Sequence, residues 1–312
     1  MKIVALSGGV GGAKLGLGLA QLYPDLELTI IANTGDDFEH LGLCISPDID
    51  TVTYTLAGIA NPETGWGQAD ETWSFMESLE NLGGETWFRL GDKDLALNIL
   101  RTERLAGGES LSEITASIAH QLGIGPEIVP MSDAPIRTRF MTDRGELAFQ
   151  DYFVRLQCEP VVTGIEFEGA DTAQPSPRFG ELLNDPSVSA FVLCPSNPLI
   201  SIDPILAMPS VRAKLAEHAA PVIAVSPVID GNSIKGPTSK LMAELGIGSS
   251  SQDVATHYQD FLDGMVLDNK DARLADAINA AGVRTVCHDV VMNSLDDRCR
   301  LATQVVEFAA NF

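Results

Sequence analysis

The sequence has few basic residues, and this scarcity excludes several classes of protein. Lysine and arginine together number 20 against 43 aspartates and glutamates, which leaves a formal net charge of −23 over 312 residues. A nucleic-acid-binding protein is expected to carry a basic patch or stripe. A protein that docks on anionic lipid needs clustered lysines and arginines. We therefore expect neither a nucleic acid nor a membrane among the partners of this chain.

Closely spaced cysteines and long apolar runs are missing as well. The five cysteines are scattered without a C-x-x-C pair, and several lie in apolar segments that are typical of buried, reduced thiols. No stretch approaches the ~18 uninterrupted apolar residues of a membrane span. The first residues resemble a signal peptide, but four glycines and Lys14 interrupt the apolar run too early. The sequence thus predicts a reduced, soluble protein of the cytoplasm.

Short apolar segments alternate with helical patterns near both ends of the chain. Buried strands are predicted at residues 2–6, 27–33, 189–194, 221–226, 264–268 and 283–287. Helices are predicted from residue 15 onward and at 204–218, 270–281 and 294–310. This alternation is the signature of a parallel sheet with helices on both faces. It predicts an α/β fold, namely a Rossmann-like three-layer domain that spans residues 1–312.

The middle of the chain has a different pattern. Three successive helices are predicted at residues 68–82, 92–105 and 110–122. A strand-rich piece follows at 137–168, in which Phe149 to Leu156 is one of the expected strands. We expect these segments to form a helical and β-rich insertion, at about residues 60–170, that covers a site on the sheet.

A glycine-rich loop follows the first predicted strand and opens a helix. It runs from Ser7 to Lys14 and contains Gly8, Gly9, Gly11 and Gly12. Backbone N–H groups in such a loop can approach an anion, and the helix N-terminus favours negative charge. The loop is neither a Walker loop nor a G-x-G-x-x-G fingerprint, because Lys14 stands in the wrong place for both. A tight turn without a ligand is the alternative, but the position at the end of a first strand favours a ligand.

Two acidic loops come next. Asp36 and Asp37 follow the second predicted strand, and adjacent carboxylates suit Mg²⁺, which typically bridges carboxylates and substrate phosphates. A plain turn would explain the same residues. Asp48 and Asp50 begin a predicted helix, where Asp48 could cap the helix or complement its dipole. Asp50 is expected to lie near the first acidic loop.

Further polar segments stand after strand-like runs or lead into helices. They contain Arg89, the run Met131-Ser132-Asp133, the run Ser196-Asn197-Pro198, and Gly236, Pro237 and Lys240. Each segment could be ordinary turn chemistry. Together they place small polar groups at several strand ends, which is where open α/β sheets bind ligands.

Seven motifs occur in order across nearly the whole chain: SGGVGGAKL, ANTGDDFEHLGLCISPDIDTVTYTL, WFRLGDKDLA, PMSDAPI, PSNPLISIDPI, AVSPVI and KGPTSKLM. The sequence closely resembles the 2-phospho-L-lactate transferase family of coenzyme F-420 biosynthesis. The resemblance implies a Mg²⁺-dependent transferase with a guanosine-diphosphate-linked donor. The donor's 2-phospholactate, phosphoenolpyruvate or 3-phosphoglycerate unit would pass to the ribityl hydroxyl of 7,8-didemethyl-8-hydroxy-5-deazariboflavin, with release of GMP. A homodimer is a further expectation from the resemblance.

The resemblance also implies roles for individual residues. Asp36 and Asp50 align with metal-binding carboxylates. The acceptor-binding positions are Asp50, Arg89, Met131, Ser132 and Asp133. The donor-binding positions are Gly8, Gly9, Gly11, Gly12, Lys14, Ser196, Asn197, Pro198, Gly236, Pro237 and Lys240. Either Asp37 or Asp50 could take the acceptor proton as the catalytic base.

Two other classes of function compete with the transferase. A non-catalytic regulator that binds nucleotide-sugars on a related fold would also use the glycine loop, but it would need neither Arg89 nor the acidic loops. A nicotinamide-dependent dehydrogenase would share the sheet, but its fingerprint fails at Lys14. The sequence therefore favours the enzyme that transfers a phosphorylated group.

Overall fold

The computed structural model describes residues 1–22, 26–234 and 236–312. In chain order, the strands over these residues are β1 (Lys2–Ser7), β2 (Glu27–Ala32), β3 (Phe38–His40), β4 (Leu43–Ile45), β5 (Glu127–Pro130), β6 (Arg137–Thr142), β7 (Gly145–Ala148), β8 (Val162–Glu168), β9 (Ala190–Leu193), β10 (Val222–Val225), β11 (Val228–Ile229), β12 (Asn232–Ser233), β13 (Gly264–Asp268) and β14 (Arg284–His288).

The α-helices of the described residues are α1 (Gly9–Leu22), α2 (Pro47–Leu56), α3 (Ser74–Asn81), α4 (Asp92–Ala106), α5 (Leu111–Gln121), α6 (Pro177–Leu182), α7 (Asp203–Leu206), α8 (Val211–Glu217), α9 (Thr238–Glu244), α10 (Ser251–His257), α11 (Ala275–Ala280) and α12 (Leu295–Ala309). Short π-helical turns cover Asp151–Arg155 and Pro198–Ile202, and a 3₁₀ turn covers Asn269–Leu274.

Seven of these strands form one sheet in the order β14-β13-β10-β9-β1-β2-β5, and every neighbouring pair is parallel. The strands are short and apolar because both faces of a parallel sheet are covered. The chain winds from β1 to β2 on one side and later returns to β9 on the other side. This reversal of strand order creates a crevice at the carboxyl end of β1. The α/β fold predicted from the sequence is confirmed.

The alternation of side chains along β1 divides the core into two layers. Ile3 and Ala5 face a cluster built with Leu15 of α1 and Leu301 of α12. Val4 and Leu6 face the opposite cluster, which the strands β6 and β8 and the helices α6 to α10 complete. Burying a side chain of this size contributes about 1.5–3 kcal/mol relative to leaving it exposed. The sheet is therefore fixed from both faces, and the loops at its carboxyl end start from rigid strands.

The middle of the chain adds two smaller units. α3 and α4 pack with the β3–β4 hairpin around a small apolar cluster of Ile45, Met76, Leu90 and Leu95. β6, β7 and β8 form an antiparallel sheet in the order β7-β6-β8. Between the two units, β5 joins the edge of the main sheet beside β2.

Three expectations from the sequence were wrong in detail, and two of them concern residues 149–156 and 204–218. The segment from Phe149 to Leu156 is not a strand, because residues 151–155 form a π-helical turn. The turn lets Phe149 and Phe153 stack with ring centres 5.4 Å apart, and Tyr152 packs 4.2 Å from Phe140. The pattern at 204–218 is split into α7 and α8, because Ser210 between them has a left-handed backbone with a φ of 66°.

The helix expected at 68–82 is also shorter than predicted. α3 begins only at Ser74, where the carboxylate of Asp92 accepts hydrogen bonds from the backbone N–H groups of Ser74 and Phe75. Among the described helices, none has both the length and the apolar character that crossing a bilayer requires.

Candidate functional site

The loops after β1, β2 and β9 meet at the crevice, and we call this place the carboxyl edge. The first contact joins the glycine loop to the loop after β9. The backbone N–H of Gly8 donates to Ser196 Oγ at 3.2 Å, and Ser196 Oγ donates to the Gly8 carbonyl at 2.8 Å. A Cβ on Gly11 would lie 2.2 Å from the carbonyl oxygen of Pro195, and one on Gly12 would lie 2.1 Å from Ser7 Oγ. The glycines are therefore required by close backbone approach.

Asp48 connects the glycine loop with the loop after β2. Its Oδ2 accepts a hydrogen bond of 2.9 Å from Asn33 Nδ2, and the backbone N–H of Gly9 also bonds to this carboxylate. Asn33 Oδ1 accepts from the backbone N–H of Gly35 at 2.8 Å. Asp48 therefore faces the glycine loop, while Ser46 occupies the N-cap position of α2 without a side-chain capping bond.

Asp36 and Asp37 are buried at the carboxyl edge, with 5% and 7% of their surface exposed. Asp37 Oδ2 accepts a hydrogen bond of 2.9 Å from Ser46 Oγ. The Oδ1 atoms of both aspartates are buried without a hydrogen-bond partner. The backbone carbonyl of Asp36 accepts from Gln150 Nε2 at 3.1 Å, which ties this loop to the inserted segment.

Asp50 makes the fourth buried carboxylate of a group that we call the acid cluster, namely Asp36, Asp37, Asp48 and Asp50. Both of its oxygens accept hydrogen bonds from the guanidinium group of Arg101 on α4. Asp50 also interacts electrostatically with Asp37, in line with its expected position near the first acidic loop. Arg101 itself is buried, and no local sequence pattern marks it as part of the site.

Burial dominates the ionisation of the acid cluster. Burial, together with the charges of Asp48 and Asp37, holds the pKa of Asp36 well above its usual range. Burial also raises the pKa of Asp37 to about 7, although Arg137 and Arg101 oppose the shift. The pKa of Asp48 rises to about 6 for the same reason, and that of Asp50 is raised in spite of Arg101. Buried carboxylates of this kind favour the arrival of a proton or a cation.

Several buried polar atoms without a partner lie at the carboxyl edge. Native proteins satisfy nearly all buried polar atoms, so unsatisfied groups that converge on one place mark the position of a ligand's polar groups. In the described part of the chain, those of this region are Ser7 Oγ, Thr34 Oγ1, Asp36 Oδ1, Asp37 Oδ1, Thr138 Oγ1 and Asn197 Nδ2. Pro198 is buried beside Asn197 at the start of a π-helical turn.

A cation would need help from a substrate at this site. Among the described residues, no group of three or more histidine, cysteine or acidic side chains is arranged to hold a metal ion. Asp36 and Asp37 each offer one unpartnered oxygen, whereas both oxygens of Asp50 bond to Arg101. Mg²⁺ commonly binds through one or two carboxylates together with substrate phosphates and water. The two unpartnered oxygens fit that mode of binding.

The two lysines that are expected to bind the donor form hydrogen bonds with other residues of the chain. Lys14 Nζ donates to the carbonyl of Met292 at 2.9 Å, on the segment after β14. Lys240 Nζ bonds to Glu244, to the carbonyl of Pro160 and to Tyr152 Oη, and so connects α9 with the inserted segment. Gly236 has a φ of 73° and Pro237 is the N-cap residue of α9, so both residues shape the turn that leads into this helix.

Arg89 lies in the helical part of the middle region. Its guanidinium carbon is 4.1 Å from the centre of the Trp73 ring, which is a cation–π contact. The two side chains line an open cleft together with Met76, Glu77, Glu80 and Thr86. The cleft offers a flat aromatic surface and a guanidinium group to a ligand.

The segment after β5 runs beside the end of β2. The backbone N–H of Met131 donates to the carbonyl of Ala32 at 2.8 Å, which places Met131 next to the acidic loop. Ser132 Oγ donates to the carbonyl of Gln174, and Asp133 Oδ1 accepts from the backbone N–H of Ser112 in the first turn of α5. Only the first residue of this expected acceptor-binding run is therefore tied directly to the end of β2.

The model of the family described as 2-phospho-L-lactate transferase CofD matches residues 3–306. A phosphoenolpyruvate transferase of Streptomyces griseus is 39% identical over 315 residues, covering 99% of this chain and 98% of the relative. A 2-phospho-L-lactate transferase of Methanosarcina mazei is 36% identical over 306 residues, covering 98% of this chain and 99% of the relative.

Solved structures support the fold. A protein of the UPF0052 family from Bacillus halodurans superposes with a TM-score of 0.62 at 13% sequence identity, and the match covers 98% of each chain. At this level of identity the likeness concerns the fold alone, and it agrees with the parallel sheet described above.

Proposed function

The chain belongs to the CofD family of 2-phospho-L-lactate transferases of coenzyme F-420 biosynthesis, and on this premise we propose that it joins a guanylylated three-carbon acid to a deazariboflavin. In the proposed reaction, the ribityl hydroxyl oxygen of 7,8-didemethyl-8-hydroxy-5-deazariboflavin forms a bond to the phosphorus next to the three-carbon acid. The bond between that phosphorus and the bridging oxygen of the diphosphate breaks, and GMP leaves. The hydroxyl proton passes to a carboxylate of the chain.

The observation that carries this proposal is the position of unpartnered buried oxygens next to a glycine loop. The N–H groups of Gly8 and Gly9 bond to Ser196 and Asp48, and the first turn of α1 beyond them presents backbone N–H groups that suit the diphosphate of a donor. Asp36 Oδ1 and Asp37 Oδ1 lie unpartnered at the same carboxyl edge. An anion-binding loop beside buried carboxylates is what a phosphoryl-transfer site requires, because the carboxylates can hold a cation or take a proton.

Mg²⁺ is part of the proposal. Asp36, with Asp37 or Asp50 beside it, would hold the ion, and the ion would supply positive charge to the diphosphate of the donor. A bound cation as the source of positive charge at the site is consistent with a chain that carries a net charge of −23. Among Asp36, Asp37 and Asp50, Asp50 is the least suitable metal ligand, because both of its oxygens accept hydrogen bonds from Arg101.

The hydrogen bonds favour Asp37 over Asp50 as the proton acceptor. Asp37 uses Oδ2 for Ser46 and keeps Oδ1 unpartnered, so one oxygen can take a proton. Asp50 would have to break a bond with Arg101 to do the same. A base held by one hydrogen bond and directed by it is the usual arrangement in general-base catalysis.

The acceptor is proposed to bind between the carboxyl edge and the middle region. Met131 lies beside the end of β2, and the Arg89–Trp73 pair offers a surface for a flat ring system. A flat ring stacked on the planar guanidinium of Arg89, which itself lies over the Trp73 ring, suits a deazaflavin. A nucleotide-sugar regulator would have no need for this second surface.

The test is product analysis by mass spectrometry. The purified chain is mixed with the deazariboflavin, Mg²⁺ and, in separate reactions, the guanylylated forms of 2-phospholactate, phosphoenolpyruvate and 3-phosphoglycerate. We expect one donor to give the matching deazaflavin phosphodiester together with GMP. We also expect EDTA to stop the reaction and added Mg²⁺ to restore it.

The same experiment separates the competing functions. Deazaflavin binding, seen as a change in its fluorescence, without product from any donor would favour a binding protein. A lack of both binding and product would refute the proposed reaction. Light scattering of the same preparation tests the proposed homodimer.

A further inference from the structure

We infer that Arg101 is a positioning residue of the transferase, and that it fixes Asp50 in the acid cluster from the neighbouring helix α4. The expected effect of Arg101 on turnover rests on the proposed function. The contact between Arg101 and Asp50 does not depend on it. It assigns a role to a residue that neither the motifs nor the acidic loops point to.

Arg101 is nearly enclosed, with 1% of its surface exposed, and its contacts surround the guanidinium group. One terminal nitrogen donates to Asp50 Oδ2 at 3.2 Å, to Asn98 Oδ1 at 2.7 Å and to the carbonyl of Cys44 at 3.2 Å. The other terminal nitrogen donates to Asp50 Oδ1. The guanidinium therefore binds the carboxylate through two nitrogens, in an orientation that a single ammonium group cannot reproduce.

Each partner of Arg101 comes from a different element. Asp50 lies in the first turn of α2, Asn98 is one turn back on α4, and Cys44 belongs to β4. Asn98 is itself buried and holds the arginine in place. The arginine thus links the helix that carries Asp48 and Asp50 to the helical unit that carries Arg89.

Stability alone is a weak reason for this pair. Removing two charges from water is costly, and replacing a buried ion pair by apolar side chains of similar volume is often neutral or stabilising. The position beside the buried carboxylate of Asp37 gives a stronger reason. Without a fixed cation, Asp50 would be repelled by Asp37 and would turn away or take up a proton. Arg101 also acts electrostatically on Asp37, so its charge reaches more than one member of the acid cluster.

The chain contains a matched control for this arginine. Arg104 stands three residues later on α4, and its Nε donates to Glu109 at 2.9 Å on the exposed side of the helix. Arg101→Met and Arg104→Met therefore remove the same side chain and the same kind of ion pair from one helix. They differ in whether the lost partner belongs to the acid cluster and also in burial, because the Arg104 side chain is 22% exposed whereas that of Arg101 is enclosed.

The kinetic test compares Arg101→Met, Arg101→Lys, Arg104→Met and Asp50→Asn with the wild type. Outer partners of functional ligands typically contribute about 10- to 100-fold, so we expect Arg101→Met to lose that much in kcat. The KM for the guanylylated donor should change by less than about threefold, because the glycine loop is untouched. Arg101→Lys should recover part of the loss, and Arg104→Met should behave as the wild type. Arg101→Met combined with Asp50→Asn should lose no more than Asp50→Asn alone.

A crystal structure of Arg101→Met tests the inference without any measurement of the reaction. We expect the Asp50 carboxylate to leave its position in the variant and to keep it in Arg104→Met. A folded Arg101→Met protein with wild-type kcat, or with Asp50 unmoved, would overturn the inference. If the wild type forms no product with any donor, the proposed function fails, and the position of Asp50 in the variant structure still decides the role of Arg101.

Discussion

Two places at the carboxyl end of the same sheet both contain buried hydroxyl and carboxylate groups. In one place these groups are hydrogen-bonded to one another, and in the other place several of their oxygen atoms have no partner. At the ends of β10 and β13, Ser226 Oγ lies 2.9 Å from Ser251 Oγ, which donates to Asp271 Oδ2 at 2.8 Å. Asp271 also accepts from the backbone N–H of Asp230 at 3.2 Å. These buried hydroxyl and carboxylate groups complete one another. At the ends of β1, β2 and β9, Ser7, Asp36 and Asp37 have buried oxygen atoms without partners.

The difference separates a polar network that satisfies itself from the proposed ligand site. A buried polar atom that is satisfied internally adds to stability, whereas an unsatisfied one costs about 1–3 kcal/mol until a partner arrives. We therefore expect the acid cluster to lower the stability of the free protein and a bound ligand to restore it. Substitutions in the two places should consequently have opposite effects on activity and on stability.

The largest effect is expected for Asp37→Asn, measured as turnover with the donor that the wild type accepts. Loss of a general base usually costs about 10²- to 10⁴-fold in rate, and we expect a loss in this range. The melting temperature at neutral pH should not fall, because the variant removes a buried charge with an unpartnered oxygen. Wild-type turnover in this variant would remove Asp37 from the reaction.

Ser251→Ala should show the opposite combination. The substitution leaves Asp271 Oδ2 and Ser226 Oγ without their shared partner, so we expect a loss of about 1–3 kcal/mol in the free energy of unfolding. Urea denaturation measures this loss. The kcat should stay within about twofold of the wild type, a change of less than 0.5 kcal/mol in the barrier. A large fall in kcat at unchanged stability would instead place this network in the active site and end the contrast.

The pH dependence of stability sharpens the same comparison. The folded-state pKa of Asp37 is raised to about 7, above the unfolded value of about 3.9. The folded protein therefore binds this proton more tightly than the unfolded chain. The resulting stability is present below pH ~4 and is lost as the pH rises through ~7. In the absence of Mg²⁺, the melting temperature of Asp37→Asn relative to the wild type should be higher at pH 8 than at pH 5. An equal difference at both pH values would contradict the shift.

An ordinary surface carboxylate should show the smallest effect and the opposite sign. Asp297 lies in the first turn of α12, where it accepts hydrogen bonds from the backbone N–H and the hydroxyl of Ser294, and its pKa is lowered to about 2. Its contribution is present above pH ~4 and is lost as the pH falls toward ~2. Asp297→Asn should lower the melting temperature at pH 7 by about 1–2 °C, which is typical for a weakened helix cap in a chain of this size. Calorimetry at pH 7 and pH 2.5 checks that the difference shrinks in acid.

The sequence predicted the sheet and the meeting of the glycine loop with the acidic loops, and the reason is geometric. Parallel strands place their carboxyl ends at one edge, so residues that follow β1, β2 and β9 must come together. Asp36 could be assigned to the site in this way, because its position depends on strand direction more than on the details of packing. For Asp48 the sequence predicts only a capping or dipole role, and its contact with the glycine loop depends on tertiary packing.

The sequence could not predict which charged side chains pair. Arg101 lies on a helix more than 50 residues from Asp50, and no local pattern distinguishes it from the exposed Arg104 on the same helix. Lys14 and Lys240 follow glycine loops as phosphate-binding lysines do, yet packing directs them to Met292 and to Glu244. Side-chain direction of this kind is set by tertiary contacts that come from distant parts of the chain.

The place of α1 in the fold has a consequence for biosynthesis on the ribosome. A Cβ on Gly18 would lie 2.3 Å from the carbonyl oxygen of Arg298, so α1 and α12 are in close backbone contact. β1, which leads into α1, has β9 as one of its neighbours. At a translation rate of roughly 5–20 residues per second, some 10–40 seconds separate the synthesis of β1 from that of β9. The glycine loop is therefore synthesised well before β9 and α12, which complete its surroundings, and a chaperone that shields β1 in this interval would protect the proposed site.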